Sequence, residues 1–238
     1  MPHAEGKEHS MPNSIRAVTL ALCALAALLG INPARAEALK EGTDFRSLTP
    51  PLPTSDPGKI EVIEFFSYAC PHCANFYPMV ESWQAKLPKD VVFRRVPVGF
   101  QRPAWVNLQR VFYALQADGD FARLDAPLFK AIHEEQQPLF EEPRIADWIA
   151  RNGGNADKFA AAYASFGVNN QTVQADKMAE DYGIDSVPSM AVDGRYVAMA
   201  DPAGGELPYL NQLLATVDQL IAKARAERAA AKPAAQHK

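Results

Sequence analysis

The residues of this chain best suited to do chemistry are two cysteines three apart, in the run Cys70-Pro71-His72-Cys73. A disulfide between such near neighbours closes a tiny loop and removes little entropy from the unfolded chain, so as a staple it would do little for stability. As a redox pair it has a clear use, because a thiolate rather than a thiol attacks disulfides and leaves from them. Pro71 fits the first turn of a helix. Cys70 then stands at the helix amino end, where free N–H groups and the positive end of the dipole favour an anion. His72, protonated or donating, favours the Cys70 thiolate further. Cys73 lies deeper in the helix and suits the resolving role. Each unit by which the thiolate pKa falls stabilises the reduced form by about 1.4 kcal/mol and makes the disulfide a stronger oxidant by roughly 30 mV.

The elements around this motif follow from hydrophobic patterning. Residues 37–58 read as a lead-in with a short strand at Phe45–Leu48 and a turn-rich stretch after it. Ile60–Phe66 is apolar on both faces, as a central parallel strand should be. The cysteine run opens a helix carrying Phe76, Val80, Trp83 and Leu87 at helical spacing, and Val91–Val98 is the next strand. The dithiol therefore sits at the carboxyl end of a strand and the amino end of a helix, where active sites of open α/β sheets gather. Four helices follow: Pro103 to about Ala117, about Phe121–Glu135, one opened by Pro143, and one carrying Phe159, Ala162, Tyr163 and Phe166 on a single face. A further helix after Asn169-Asn170 runs to about Tyr182. A strand over Ser186–Val192 begun by a proline, an Asp193-Gly194 hairpin turn and a return strand at Arg195–Met199 come next. Leu210, Leu213, Leu214, Val217, Leu220 and Ile221 stripe the last helix. The fold class is α/β: a thioredoxin fold with an inserted four-helix, all-α subdomain. The thioredoxin parts are residues 37–99 and 171–224, the insertion is 100–170, and 225–238 is a disordered tail.

Residues 1–36 read as a secretory signal peptide. An apolar run from Ala17 to Ile31 follows Arg16, and Ala34-Arg35-Ala36 is a small-x-small cleavage site, with cutting expected after Ala36. The initiator is Met1 or Met11, and Cys23 is an ordinary apolar signal residue, so the exported chain keeps only the one cysteine pair. Its length then suits one domain, or one domain carrying an insertion. The whole chain has 24 basic and 28 acidic residues, a balance that argues against a nucleic-acid footprint. Four-ligand zinc would need two more Cys or His. Beyond the leader only His72, His133 and His237 are available, none at ligand spacing. No metal or organic cofactor is expected.

Cys-Pro-His-Cys after a Glu64-Phe65-Phe66-Ser67 strand end resembles the DsbA family of periplasmic thiol:disulfide oxidoreductases. The resemblance covers about residues 38–225 and includes the helical insertion, Val187-Pro188 and the final helix. It implies a monomer that donates the Cys70–Cys73 disulfide to reduced, unfolded, newly exported proteins. It also implies reoxidation by a DsbB-like, quinone-linked membrane oxidoreductase. Thioredoxins typically carry Gly-Pro between the cysteines, so the direction of electron flow rests on Pro71 and His72. By the same resemblance Val187-Pro188 is a cis-proline loop facing the dithiol, able to pair with an extended substrate. Glu64 matches a buried acid that helps proton transfer at the resolving cysteine. Relatives often pair that acid with a lysine on the next strand, whereas here Phe93 lies near the expected position with Arg94 and Arg95 beside it. Pro78 is placed like the helix-kinking proline of thioredoxins. Rival readings are a dedicated thiol reductant, a peptide-binding chaperone with an incidental dithiol, and a copper or zinc carrier.

Overall fold

The run that is apolar on both faces becomes the middle of the sheet. In the computed structural model, which describes residues 38–231, strand β2 (Ile60–Phe66) is buried at every position. It pairs in parallel with β3 (Val91–Pro97) and antiparallel with β4 (Ser189–Val192). With β1 (Phe45–Ser47) and β5 (Tyr196–Ala198) these make a five-stranded sheet of order β1-β5-β4-β2-β3. The leader, its expected cleavage site, Cys23 and His237 lie outside the described residues.

Helix α1 (Pro71–Gln84) connects β2 to β3. Next come α2 (Pro103–Asp118), α3 (Phe121–His133), α4 (Glu142–Arg151) and α5 (Ala156–Tyr163), then α6 (Phe166–Asp181), which leads back to the sheet at β4. A short 3-10 turn at Pro202–Gly204 precedes α7 (Glu206–Ala231). Side chains alternate across the strands, and the alternation sorts the core. Ile60 and Val62 meet Leu213 and Val217 of α7 on one face, while Ile63 and Phe65 meet Ala175 and Tyr182 on the other. Phe66, Tyr68 and both cysteines pack with Leu108, Phe112 and Leu128 from α2 and α3. The inserted helices thus form one wall of the dithiol's surroundings.

The hairpin turn forms as its residues require. Asp193 and Gly194 both have positive φ, 60° and 63°, the conformation a two-residue turn needs. The lead-in also runs close against Gly194: the Leu52 N–H donates to the Gly194 carbonyl oxygen at 2.7 Å, and a Cβ on Gly194 would lie 2.1 Å from the Leu52 carbonyl oxygen.

Two expectations need correction. The helix expected after Asn169-Asn170 starts at Phe166, because the side chain of Ser165 accepts from the Val168 N–H and caps a new helix there. That break ends α5 at Tyr163 and turns Phe166 outward, so it is 84% exposed instead of completing an apolar stripe. The segment 225–238, read as a disordered tail once its apolar stripe ends, is helical as far as Ala231. Polar contacts hold it instead: Tyr196 Oη donates to Glu227 at 2.6 Å, and Arg228 is paired with Asp193.

Candidate active site

Cys70 is the N-cap of α1, with extended backbone (φ −89°, ψ 117°), and Pro71 opens the helix behind it. The strand end and the helix start together fix the thiol where the first free N–H groups point. Both cysteines are reduced here and buried, Cys73 completely. The hydrogen bond from the Cys73 thiol is the largest cause that holds the Cys70 thiol down to about 6. Burial opposes ionisation, while the backbone N–H groups of Cys73 and His72 and the charge of His72 favour it. Burial pushes the Cys73 thiol well above its ordinary range, and the neighbouring Cys70 and Glu64 add to that. One thiol is thus poised as a thiolate and the other as a proton-holding thiol.

The Val187-Pro188 peptide bond is cis, as the sequence resemblance implied. The Val187 carbonyl oxygen lies 3.4 Å from Cys70 Sγ, so this loop faces that sulfur directly. Beside it opens a cavity of about 320 Å³ walled by His72, Val187, Pro188, Glu206, Tyr209 and Leu210. Its wall is largely apolar, with Val187, Pro188 and Leu210 beside His72 and Glu206, a shape suited to an extended peptide.

Glu64 is buried on the dithiol side of β2, 1% exposed, and burial raises its pKa. The two candidate arginines separate by register. Glu64 is paired with Arg95 across the β2–β3 ladder, and Arg95 Nε donates to Glu64 Oε2 at 2.9 Å. Arg94 points to the other face and binds Glu61, a fully buried acid that also accepts from Ser55. Arg95 reaches further than a strand lysine would. Its Nη1 donates to Asp125 of α3 at 2.8 Å, its guanidinium lies 3.8 Å from the Phe66 ring centre, and the Tyr68 hydroxyl donates to the same Asp125. Glu64 Oε1 and Arg95 Nη2 are left without protein partners.

Sequence reasoning thus named Cys70, Pro71, His72, Cys73, Glu64, Val187 and Pro188, and the structure brings all of them to one end of the sheet. It missed Asp125, Tyr68, His133, whose Nε2 is 2.7 Å from the Tyr68 carbonyl oxygen, and Glu206. No spacing rule links these to the motif, because each arrives from a distant element. Among the described residues there is no group of three or more His, Cys, Asp or Glu side chains placed to hold a metal ion. Nor is any described helix long and apolar enough to cross a membrane.

The family model described as a DSBA-like thioredoxin domain matches residues 61–204. The thiol:disulfide interchange protein DsbA of Bordetella parapertussis is 40% identical over 207 residues, 87% of this chain and 95% of that protein. DsbA of Pseudomonas aeruginosa is 38% identical over 215 residues, 90% of this chain and 98% of that protein. The crystal structure of Pseudomonas aeruginosa DsbA superposes with a TM-score of 0.73 and 38% identity, over 82% of this chain and 97% of that one.

Proposed function

This chain belongs to the DSBA-like thioredoxin domain family and is a thiol:disulfide oxidoreductase, and we propose that it donates its Cys70–Cys73 disulfide to newly exported proteins in the periplasm. The observation that carries the direction of transfer is the contrast between the two thiols. Cys70 ionises near 6 and Cys73 holds its proton, so the reduced protein is a stabilised product and the disulfide a ready electron acceptor.

In the first step an extended substrate lies along the Val187-Pro188 loop and its thiolate attacks Cys70 Sγ. The Cys70–Cys73 bond breaks, Cys73 leaves as a thiolate, and it takes a proton. Glu64 is suited to relay that proton, since burial raises its pKa and one of its oxygens has no protein partner. A second substrate thiolate then attacks the substrate sulfur of the mixed disulfide. Cys70 departs as the thiolate that the helix end stabilises. Two electrons have moved from substrate to protein, and one disulfide from protein to substrate. Return to the disulfide form falls to a quinone-linked membrane partner of the DsbB kind, and export to the signal peptide cut after Ala36.

The test is to mix the oxidised protein, without oxygen, with a reduced unfolded protein that carries several cysteines. We expect one substrate disulfide per protein molecule and none from Cys70→Ser. Unchanged substrate thiols with the wild-type protein would overturn the reading.

A further inference from the structure

His72 does not stand alone at the helix end. Its Nδ1 lies 2.7 Å from Glu206 Oε1, and the same oxygen accepts from Asn75 Nδ2 at 3.0 Å. Glu206 is the first residue of α7, more than a hundred residues away in sequence, and lines the cavity that His72 also lines. Two residues one turn apart on α1 thus converge on one carboxylate oxygen, which fixes the imidazole's position and makes Nδ1 its donor.

We propose that Glu206 is a positioning residue of the dithiol site, which clamps His72 through Nδ1 and so holds the imidazole beside Cys70. Accepting the His72 hydrogen bond raises the imidazole's pKa, and Asn75 and His72 hold the Glu206 carboxyl below its usual range. The other titratable groups facing this pair are Cys70, at the start of α1, and the Tyr209 phenol in the cavity wall. Tyr209 keeps its proton well beyond neutrality because it is buried, and Cys70 as a thiolate favours the imidazolium too.

The consequence is a pH dependence. An imidazole without a carboxylate partner loses its proton around pH 6.5. In the disulfide form such a His72 would be neutral above that pH, and in the reduced form the Cys70 thiolate would keep it charged. Reduction would then take up an extra proton, and oxidising power would fall as pH rose through this window. Glu206 moves the loss of the proton upward in both forms. The pH window of that dependence thereby moves upward.

This inference rests on the oxidoreductase reading for its consequence, but not for its first measurement. Nuclear magnetic resonance titration of His72 in the oxidised full-length protein reports the clamp directly, whatever the protein does to substrates. We expect a midpoint above about 6.5 in the wild type that falls to about 6.5 in Glu206→Gln. The second measurement is the equilibrium with glutathione at pH 6 and pH 8. The ratio of the Glu206→Gln constant to the wild-type constant should fall by about three- to tenfold over that interval, a tenfold change for each unit of His72 shift. In a His72→Ala background the same substitution should leave the ratio flat. Glu206→Asp, with its shorter reach, should fall between. An unmoved His72 midpoint would overturn the proposal, as would a flat ratio in the His72-containing protein. A weakly oxidising wild type with a displaced His72 midpoint would instead count against the disulfide-donor reading and leave the clamp standing.

Discussion

Cys73 acts on Cys70 even when no disulfide joins them. Its thiol supplies the hydrogen bond that contributes most to the low Cys70 pKa. In Cys73→Ala that donor is gone, and we expect the thiolate absorbance of Cys70 to titrate with a midpoint moved from about 6 toward the unperturbed value of about 8.5. Cys73→Ser keeps a donor of similar reach and should lie between. A Cys73→Ala midpoint equal to that of the reduced wild type would show that the helix end alone sets the thiolate. At this scale much was legible from the sequence. Two cysteines with a proline between them announce their helix position, and helix position tells them apart. The clamp on His72 was not legible, because a lone glutamate at a distant helix start carries no local mark of its partner.

The β2–β3 ladder decides which arginine meets the buried acid. Strand periodicity shows that neighbouring residues face opposite ways, but only the register, Glu64 against Arg95, says which of Arg94 and Arg95 shares the dithiol face. Asp125 could not be foreseen at all, since α3 is brought to Arg95 by packing of apolar residues elsewhere on that helix. Arg95 bridges Glu64 and Asp125, with both acids nearly buried. We expect Arg95→Met to lower stability by about 3–5 kcal/mol at pH 7, the cost of leaving buried charge unpaired. The loss should shrink as pH falls, because Glu64 already has a raised pKa and can shed its charge by taking a proton. Urea denaturation at pH 7 and pH 5 checks both statements; a loss below about 1 kcal/mol would show that the pair is not needed. The hairpin offers a second check. Gly194→Ala combines φ of 63° with a clash against the Leu52 carbonyl, and should cost about 1–3 kcal/mol. An unchanged denaturation midpoint would mean the lead-in gives way freely.

At the scale of the molecule, site chemistry and fold stability are one quantity seen twice. The folded state lowers the Cys70 pKa to about 6, and the unfolded chain returns it to about 8.5. The thiolate therefore stabilises the reduced fold fully above pH 8.5, progressively less below it, and not at all once pH has fallen through 6. A disulfide closing so short a loop offers little in return. We expect the reduced protein to melt at a higher temperature than the oxidised one at pH 8, with the gap closing as pH falls through 6. An oxidised form more stable at pH 8 would contradict the linkage. The α/β architecture with its helical insertion was readable in the order of apolar runs and turn residues. The boundary at Ser165 and the helical extension to Ala231 were not, because a cap and a few polar contacts outweighed the hydrophobic pattern there.

The Cys70–Cys73 disulfide is an oxidant because the fold favours its reduced form. The most direct test is the reduction potential, measured by equilibration of the wild-type protein with glutathione at pH 7. We expect a value more oxidising by about 30 mV or more than the roughly −270 mV of a thioredoxin-like pair, whose own cysteine ionises at about 7, because Cys70 ionises about one unit lower. A potential at or below roughly −270 mV would contradict the account.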